Sequence, residues 1–304
     1  MLVAGTVARS IDDIDARPGS VPSLLRTVLA TYVRPLGGWV AAAVLVRLME
    51  DAGVPAPRTR TALVRVKAKG LLRPQTRGGA AGYAFVDEAA PMLVRAHQRI
   101  HHPRAMAVGD PWCLVSFSIP EELRDLRHQL RRRLRHIGCG TVSSALWIAP
   151  GYLTGEVEEV LDELGVREHC TLFAADEVRE VRDQRASVAQ WWDFAELATL
   201  HQDFLDRHTA EIQGVRRTAS AAEAFGVWVR SLDRWRTIPY NDPGLPARLL
   251  PPDWPGLRAT PLFYRVRDEI APLAAEHVRA TSGTDVPLPS HFEECSVVEL
   301  PRTA

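Results

Sequence analysis

Residues 58–85 read RTRTALVRVKAKGLLRPQTRGGAAGYAF, a basic segment whose first part has helical spacing and whose second part turns back on itself. The spacing predicts a helix over RTRTALVRVKAKG, with Leu63 and Val66 directed inward and Gly70 as its C-cap. Leu71-Leu72-Arg73-Pro74, a turn at Arg77-Gly78-Gly79 and Gly82-Tyr83-Ala84-Phe85-Val86 then predict a two-stranded hairpin. Between Asp51 and Asp87 there is no acidic residue, and there are seven cations: Arg58, Arg60, Arg65, Lys67, Lys69, Arg73 and Arg77. The whole chain is neutral, with 37 basic and 37 acidic side chains, so the other regions together carry 30 against 37. A positive field confined in this way is the footprint of a surface that meets phosphate. On charge alone, a solvated basic helix and loop is the alternative.

Upstream, Ser20 or Ser23 precedes Leu24, Leu25, Val28, Leu29 and Tyr32, the spacing of an amphipathic helix that stops near Pro35 and Gly37-Gly38. A second helix is expected from Trp39 to Asp51, ended by Gly53. Three helices and a hairpin in this order predict a winged helix-turn-helix over residues 21–104, preceded by a loose arm over 1–20 and followed by a helix from Ala89 to His102. In such a module the second helix of the pair enters the major groove. Arg58, Thr59, Arg60 and Thr61 are then placed to reach base edges, with Arg65 and Lys69 further along the helix and Arg73 and Arg77 on the hairpin against backbone or minor groove.

A different rhythm begins at Pro111. Trp112–Ile119 reads as a strand, Glu121–Ile137 as a helix broken by Gly138-Cys139-Gly140, Thr141–Ile148 as one or two strands, Thr154–Leu164 as a helix and His169–Ala174 as a strand. This order predicts a ferredoxin-like α/β sandwich over 110–178. From Ser187 the pattern is helical again, in WWDFAELATLHQDFLDRH, AEAFGVWVRSLDRWR and TPLFYRVRDEIAPLAAEHV, which predicts a mostly helical C-terminal domain over 186–282 and a tail over 283–304. The fold class expected is therefore α+β and multidomain, as 304 residues allow. The stretch IPYNDPGLPARLLPPDWPG is too rich in Pro and Gly for regular structure, and long irregular segments tend to be functional.

Cys113, Cys139, Cys170 and Cys295 lie far apart, without the local spacing of a metal site, and read as reduced thiols. His101-His102 before Pro103 reads as an exposed helix end. No basic n-region precedes an apolar run, and no stretch has the length of a membrane span, which predicts a cytoplasmic protein with no membrane partner. There is no GxSxG, GxxxxGK[ST], HExxH or GxGxxG, so no enzyme class, metal or cofactor is indicated. Six arginines crowd the 121–137 helix behind Glu121, Glu122 and Asp125, an order that complements the helix dipole. The functional alternative for Arg124, Arg127 and Arg131 is an anionic ligand. Trp191, Trp192, Trp235 and Tyr240, with Arg236 among them, could wall a pocket for an aromatic or acyl group; at helical spacing such residues are also core.

Three blocks together resemble the PaaX-like family of bacterial transcriptional repressors, named for control of phenylacetic acid degradation. They are RTRTALVRVKAKGLL with GGAAGYAF, the segment PWCLVSFSIPEELRDLRHQLRRRLRHIGCGTVSSALWIAP, and WVRSLDRWRTIPYNDPGLPARLLPPDWPG, in the family's order across residues 21–280. The resemblance implies a homodimer that binds double-stranded operator DNA through its winged helix. It implies a middle domain like the small CRISPR-associated nucleases, and release from DNA by an acyl-CoA such as phenylacetyl-CoA. Such an effector would need the cationic and aromatic residues just named. A metal-dependent nucleic-acid-processing enzyme built on the ferredoxin-like domain is the competing expectation, although its first strand ends in Ser116 and Ser118 where a nuclease of that kind would carry a metal-binding aspartate.

Overall fold

The computed structural model describes residues 17–284, apart from 35, 180–182 and 219. Most of the arm expected over 1–20, most of the tail over 283–304, and Cys295 lie outside the described residues. The protein is mixed α+β, with helices and two small antiparallel sheets. It divides into two compact units, one from residues 17–98, 203–235 and 257–284, the other from 99–202 and 236–256. The helical stretch 186–282 is thus shared between them.

The first unit opens with α1 (Val21–Val28), which continues through a π-helical turn at Leu29–Val33. Strand β1 (Trp39–Ala41), α2 (Ala42–Asp51), α3 (Ala56–Ala68), β2 (Leu72–Arg77) and β3 (Ala80–Phe85) follow, then α4 (Ala90–His101). The expectation that a helix begins at Trp39 is corrected: residues 39–41 pair with β3, Trp39 opposite Ala84 and Ala41 opposite Gly82, giving a three-stranded sheet of order β1-β3-β2. Gly82 makes this possible. A Cβ there would lie 2.3 Å from the Val40 carbonyl oxygen and 2.7 Å from the Trp39 ring, so only glycine lets β1 come this close. The indole N–H of Trp39 donates to the Gln75 carbonyl at 3.0 Å, fastening β1 to the far strand as well.

Three later stretches complete this unit: α8 (Phe194–Thr218) from residue 203, α9 (Ala221–Trp235), and α11 (Gly256–Ser282) from residue 257. Tyr32, Phe204, Phe225, Trp228, Trp235 and Phe263 are almost wholly removed from solvent. Trp235 stacks on Phe263 with centroids 4.2 Å apart and planes 8° from parallel. Within this core lies one carboxylate, that of Asp233, which accepts from the Ser23 hydroxyl at 2.6 Å, the Thr27 hydroxyl at 2.8 Å and the Gly19 amide at 2.7 Å. A buried charge is tolerated when donors surround it, as they do here. At the end of α2, Asp51 faces the His277 ring nitrogen of α11 at 2.8 Å.

The second unit is built on β4 (Trp112–Phe117), α5 (Arg124–His136), β5 (Gly140–Ser143), β6 (Leu146–Pro150), α6 (Thr154–Leu164) and β7 (Cys170–Ala175). The sheet order is β5-β6-β4-β7, antiparallel throughout, so the first strand of the run lies between the third and the fourth. Alternation along the strands separates two cores. Cys113, Val115, Phe117, Trp147 and Ala149 face Leu130 and Leu134 of α5 and Val157 and Leu161 of α6. Trp112 and Ile148 turn the other way, into a cluster with Val188, Trp191, Trp192, Phe194, Leu249 and Trp254. The helical run expected across Trp191-Trp192 is interrupted: α7 (Gln184–Trp191) ends there and α8 restarts at Phe194, where Asp193 accepts the Glu196 amide at 2.9 Å as an N-cap.

The proline-rich stretch contributes one helical turn, α10 (Ile238–Asn241), and a 3-10 turn at Ala247–Leu249, and is otherwise irregular. Its hydrogen bonds are made within the second unit: Tyr152 donates to the Pro243 carbonyl at 2.6 Å, and Asp242 sits 2.7 Å from the His201 ring. Of the pair expected at an exposed helix end, His101 is buried at 8% exposure and His102 is exposed.

Candidate nucleic-acid interface

Helix α3 starts after Pro55, with Pro57 in its first turn where no amide partner is needed. Thr59, Ala62, Leu63 and Val66 recur at helical spacing and are buried, which fixes the orientation of the helix. Everything between them faces water: Arg58, Arg60, Thr61, Val64, Arg65 and Lys67 are all exposed, as are Lys69 beyond the helix and Arg73 and Arg77 on β2. All seven cations of the acid-free segment therefore lie on the surface. Arg58, Arg60, Arg65, Lys67, Arg73 and Arg77 have no carboxylate partner among the described residues.

Thr59 is the exception among the residues picked from sequence. Its side chain is fully buried and its hydroxyl turns to the Pro55 carbonyl at 3.5 Å, so it packs the helix rather than joining the exposed face. The first turn of α3 carries no acidic side chain, which leaves the positive end of the helix dipole uncompensated. Between this turn and the start of α1 lies an open recess of about 300 Å³ that includes Pro22, Arg58, Thr61 and Arg65.

The hairpin tip is formed by Gly78 and Gly79, both with positive φ, 55° and 80°, as a two-residue turn between twisted strands requires. Arg77 at that tip lies over the Trp39 ring at 5.7 Å and bonds the Gln75 side chain at 3.2 Å, while Lys67 lies over Tyr83 at 5.9 Å. These contacts hold two of the cations against the sheet and leave their charge accessible.

The residues picked for an anionic or aromatic ligand are divided between the two units, Trp235 in the first and the others in the second. Arg127 is tied to Glu121 at 2.7 Å, and Arg131 donates to the Ser144 carbonyl at 2.7 Å and lies over Phe117. Arg124 is exposed, 4.0 Å from its neighbour Asp125. Trp191 and Trp192 belong to the second core of the second unit; the Trp192 indole donates to the Gly138 carbonyl at 2.9 Å and its ring closes over Gly140. Trp235 is core of the first unit. Tyr240 stacks on His136 at 5.4 Å, beneath the Arg99 guanidinium at 4.8 Å.

Arg99 itself is a residue the sequence reading missed. Largely buried, it donates to the carbonyls of Ile137 and Pro239 at 2.7 and 2.9 Å and pairs with Glu156. Burial first, and then the positive charges of Arg99, Arg133, Arg236 and Arg132, hold the His136 imidazole down to about 4, so this ring is neutral at ordinary pH. Also unforeseen is a recess of about 510 Å³ in the second unit bordered by Met106, Trp112, Glu177, Gln184 and Arg248. Among the described residues no three His, Cys, Asp or Glu side chains gather to hold a metal ion, and no helix is long and apolar enough to cross a membrane.

Three family models match consecutive parts of the chain: the PaaX-like protein over residues 20–89, the PaaX protein central Cas2-like domain over 106–188, and the PaaX-like protein C-terminal domain over 192–280. A curated relative, the transcriptional repressor PaaX of Escherichia coli strain K12, is 24% identical over 279 residues, which cover 90% of this chain and 87% of the relative. Among solved structures, the uncharacterised protein Rv0674 of Mycobacterium tuberculosis shares the fold with a TM-score of 0.53 at 23% identity, covering 84% of this chain and 96% of that one.

Proposed function

The chain belongs to the PaaX-like family, and from that premise we propose that it is a transcriptional repressor that binds double-stranded operator DNA through α3 and the β2–β3 hairpin. The observation that carries this reading is the cationic surface of residues 58–77, fully exposed and free of acidic side chains. In the proposal residues 21–104 are a winged helix-turn-helix. The order helix, β1, helix, helix, hairpin supports it, with α3 as the helix laid in the major groove and the hairpin as the wing. Residues 110–178 are the ferredoxin-like domain, supported by the β-α-β-β-α-β order with its first strand inside the sheet. The remaining helices over 186–282 are the C-terminal domain.

Arg58, Arg60, Thr61, Arg65 and Lys69 are assigned to the groove and its walls, and Arg73 and Arg77 to phosphate beside it. The repressor acts in the cytoplasm as a homodimer on a two-fold site and is released by an acyl-CoA, phenylacetyl-CoA being the first to try. An effector releases DNA only if it binds one conformation of the dimer more tightly than the other. The Arg236–Tyr240 region is one place for it; the recess beside Trp112 suits an anion less, because Asp110, Asp176 and Glu177 line it along with Arg179 and Arg248.

The test is a footprint of the full-length protein on its own upstream promoter at stated salt, with and without phenylacetyl-CoA and a panel of other acyl-CoAs. A protected two-fold site released by one thioester is the expected result. Protection that no thioester alters would retain the repressor and remove the effector; no protected site at any salt would overturn the DNA reading.

A further inference from the structure

Among the described residues of 52–86, Val64 is the large apolar side chain left in water, at 64% exposure, and it sits among the exposed cations of the acid-free segment. Its neighbours on the helix make this more than a stray hydrophobe. At 3.6 residues per turn, Arg60 and Lys67 lie about 40° and 60° to one side of the Val64 direction, and Pro57, Ala68 and Thr61 about 20°, 40° and 60° to the other. All five are exposed. The Thr61 hydroxyl donates back to the Pro57 carbonyl at 3.1 Å, so its polar atom is engaged with its own helix. The result is a stripe without free polar groups along the outward ridge of α3. Arg60 and Lys67 flank the stripe on one side, Arg58 and Arg65 on the other.

A major groove has the complementary layout. Phosphates line both walls, base edges form the floor, and the one apolar group on that floor is the thymine C5-methyl. We propose that Val64, with Thr61 beside it, packs against a thymine methyl in each half-site, and so selects an A·T pair at the position the middle of α3 faces. This rests on the repressor reading above and adds to it the identity of a base. Charge fixes the class of partner: a second protein docking on the valine would need acidic groups on both flanks of an apolar ridge, whereas duplex DNA supplies them at every sequence.

The experiment uses the full-length protein and the footprinted operator, replacing each protected thymine in turn by deoxyuridine, which removes the methyl and nothing else. Wild type is expected to bind about four-fold more weakly at one symmetry-related pair of positions, the value of one buried methyl. Val64→Ala, a change at an exposed site, should keep the wild-type thermal midpoint, bind the natural operator several-fold more weakly, and lose the sensitivity to deoxyuridine at that pair. Deoxyuridine that is silent at every position, or a penalty equal in wild type and Val64→Ala, would overturn the proposal while leaving the repressor intact. A Val64→Ala protein with unchanged DNA affinity and an altered oligomeric state would assign the stripe to a second copy and overturn it too. Absence of any footprint would sink the repressor reading itself, and the inference with it.

Discussion

The hydroxyl of Ser23, on α1, donates to the carboxylate of Asp233, on α9, across 2.6 Å and 210 positions of sequence, and neither residue is exposed to solvent. With Thr27 and the Gly19 amide on the same carboxylate, the first helix of the proposed DNA-binding element is pinned to a helix from the far end of the chain. A buried carboxylate that accepts from two buried hydroxyls and a backbone amide holds geometry as well as energy, because a buried polar group that loses its acceptor is costly.

Asp233→Ala should therefore destabilise the protein by about 2–4 kcal/mol, since it removes the acceptor shared by two buried hydroxyls, Ser23 and Thr27, at once. Thr27→Ala removes one donor of the set and should cost about 1 kcal/mol. Chemical denaturation of both variants at neutral pH checks the order; equal effects would mean the carboxylate is not the centre of the set.

On DNA, Arg60→Ala and Arg65→Ala are expected to weaken operator binding by about 1–3 kcal/mol each if they reach base edges. Arg73→Ala and Arg77→Ala should weaken specific and random DNA alike, and each should lower the slope of log affinity against log salt by about one. Salt titrations of the four variants separate the two groups. Unchanged affinity in all four would remove α3 from the groove.

His136 sets a pH dependence in the second unit. Its folded-state value is depressed to about 4 from 6.5, so below pH 6.5 the unfolded chain takes up a proton that the folded chain does not. Stability from this group is complete above 6.5 and is lost as the pH falls toward 4, by on the order of 2–3 kcal/mol. His136→Phe keeps a ring against Tyr240 and removes the titration, so its denaturation midpoint should fall less between pH 7 and pH 4.5 than that of the wild type.

Gly82→Ala places a methyl 2.3 Å from the Val40 carbonyl oxygen, a backbone atom held by the sheet. Strand β1 must move, at a cost of about 1–3 kcal/mol. The displaced Trp39 also supports Arg77, so DNA affinity should drop together with the thermal midpoint. Gly78→Ala meets no neighbouring atom but sits at φ 55°, and should cost less.

Much of this architecture can be read from local spacing. Leu63 and Val66, both buried, are what helical periodicity singles out, and Gly78-Gly79 marks the hairpin tip by its chemistry. The two faces of the second unit's sheet are legible in the alternation at Trp112–Phe117, while the strand order is set by pairings distant in sequence. Strand β1 is invisible because three residues carry no period, and Trp39-Val40-Ala41 continue smoothly into a helical pattern. Thr59 looked outward because small polar residues usually do; its neighbours in space, not in sequence, bury it. The tryptophans were read as one possible pocket because they are close in sequence, yet Trp192 and Trp235 belong to different cores. Asp233 and Arg99 have no local signature at all, since each is defined by partners scores of residues away.

The interleaving of chain segments in the first unit has a consequence for synthesis. Residues 17–98 leave the ribosome early, but the core against which α1 packs is finished by residues 203–235 and 257–284. At about 5–20 residues per second, the stretch from 98 to 257 takes roughly 10–30 s to make. Until residue 235 has been added, Leu25 and Val28 of α1 and Tyr32 in the turn after it have no α9 to cover them. A message cut short before α9 encodes every cation of the basic segment and yet lacks the segments that complete the core of the first unit, so the proposed DNA-binding function is delivered only once α9 and α11 have been made.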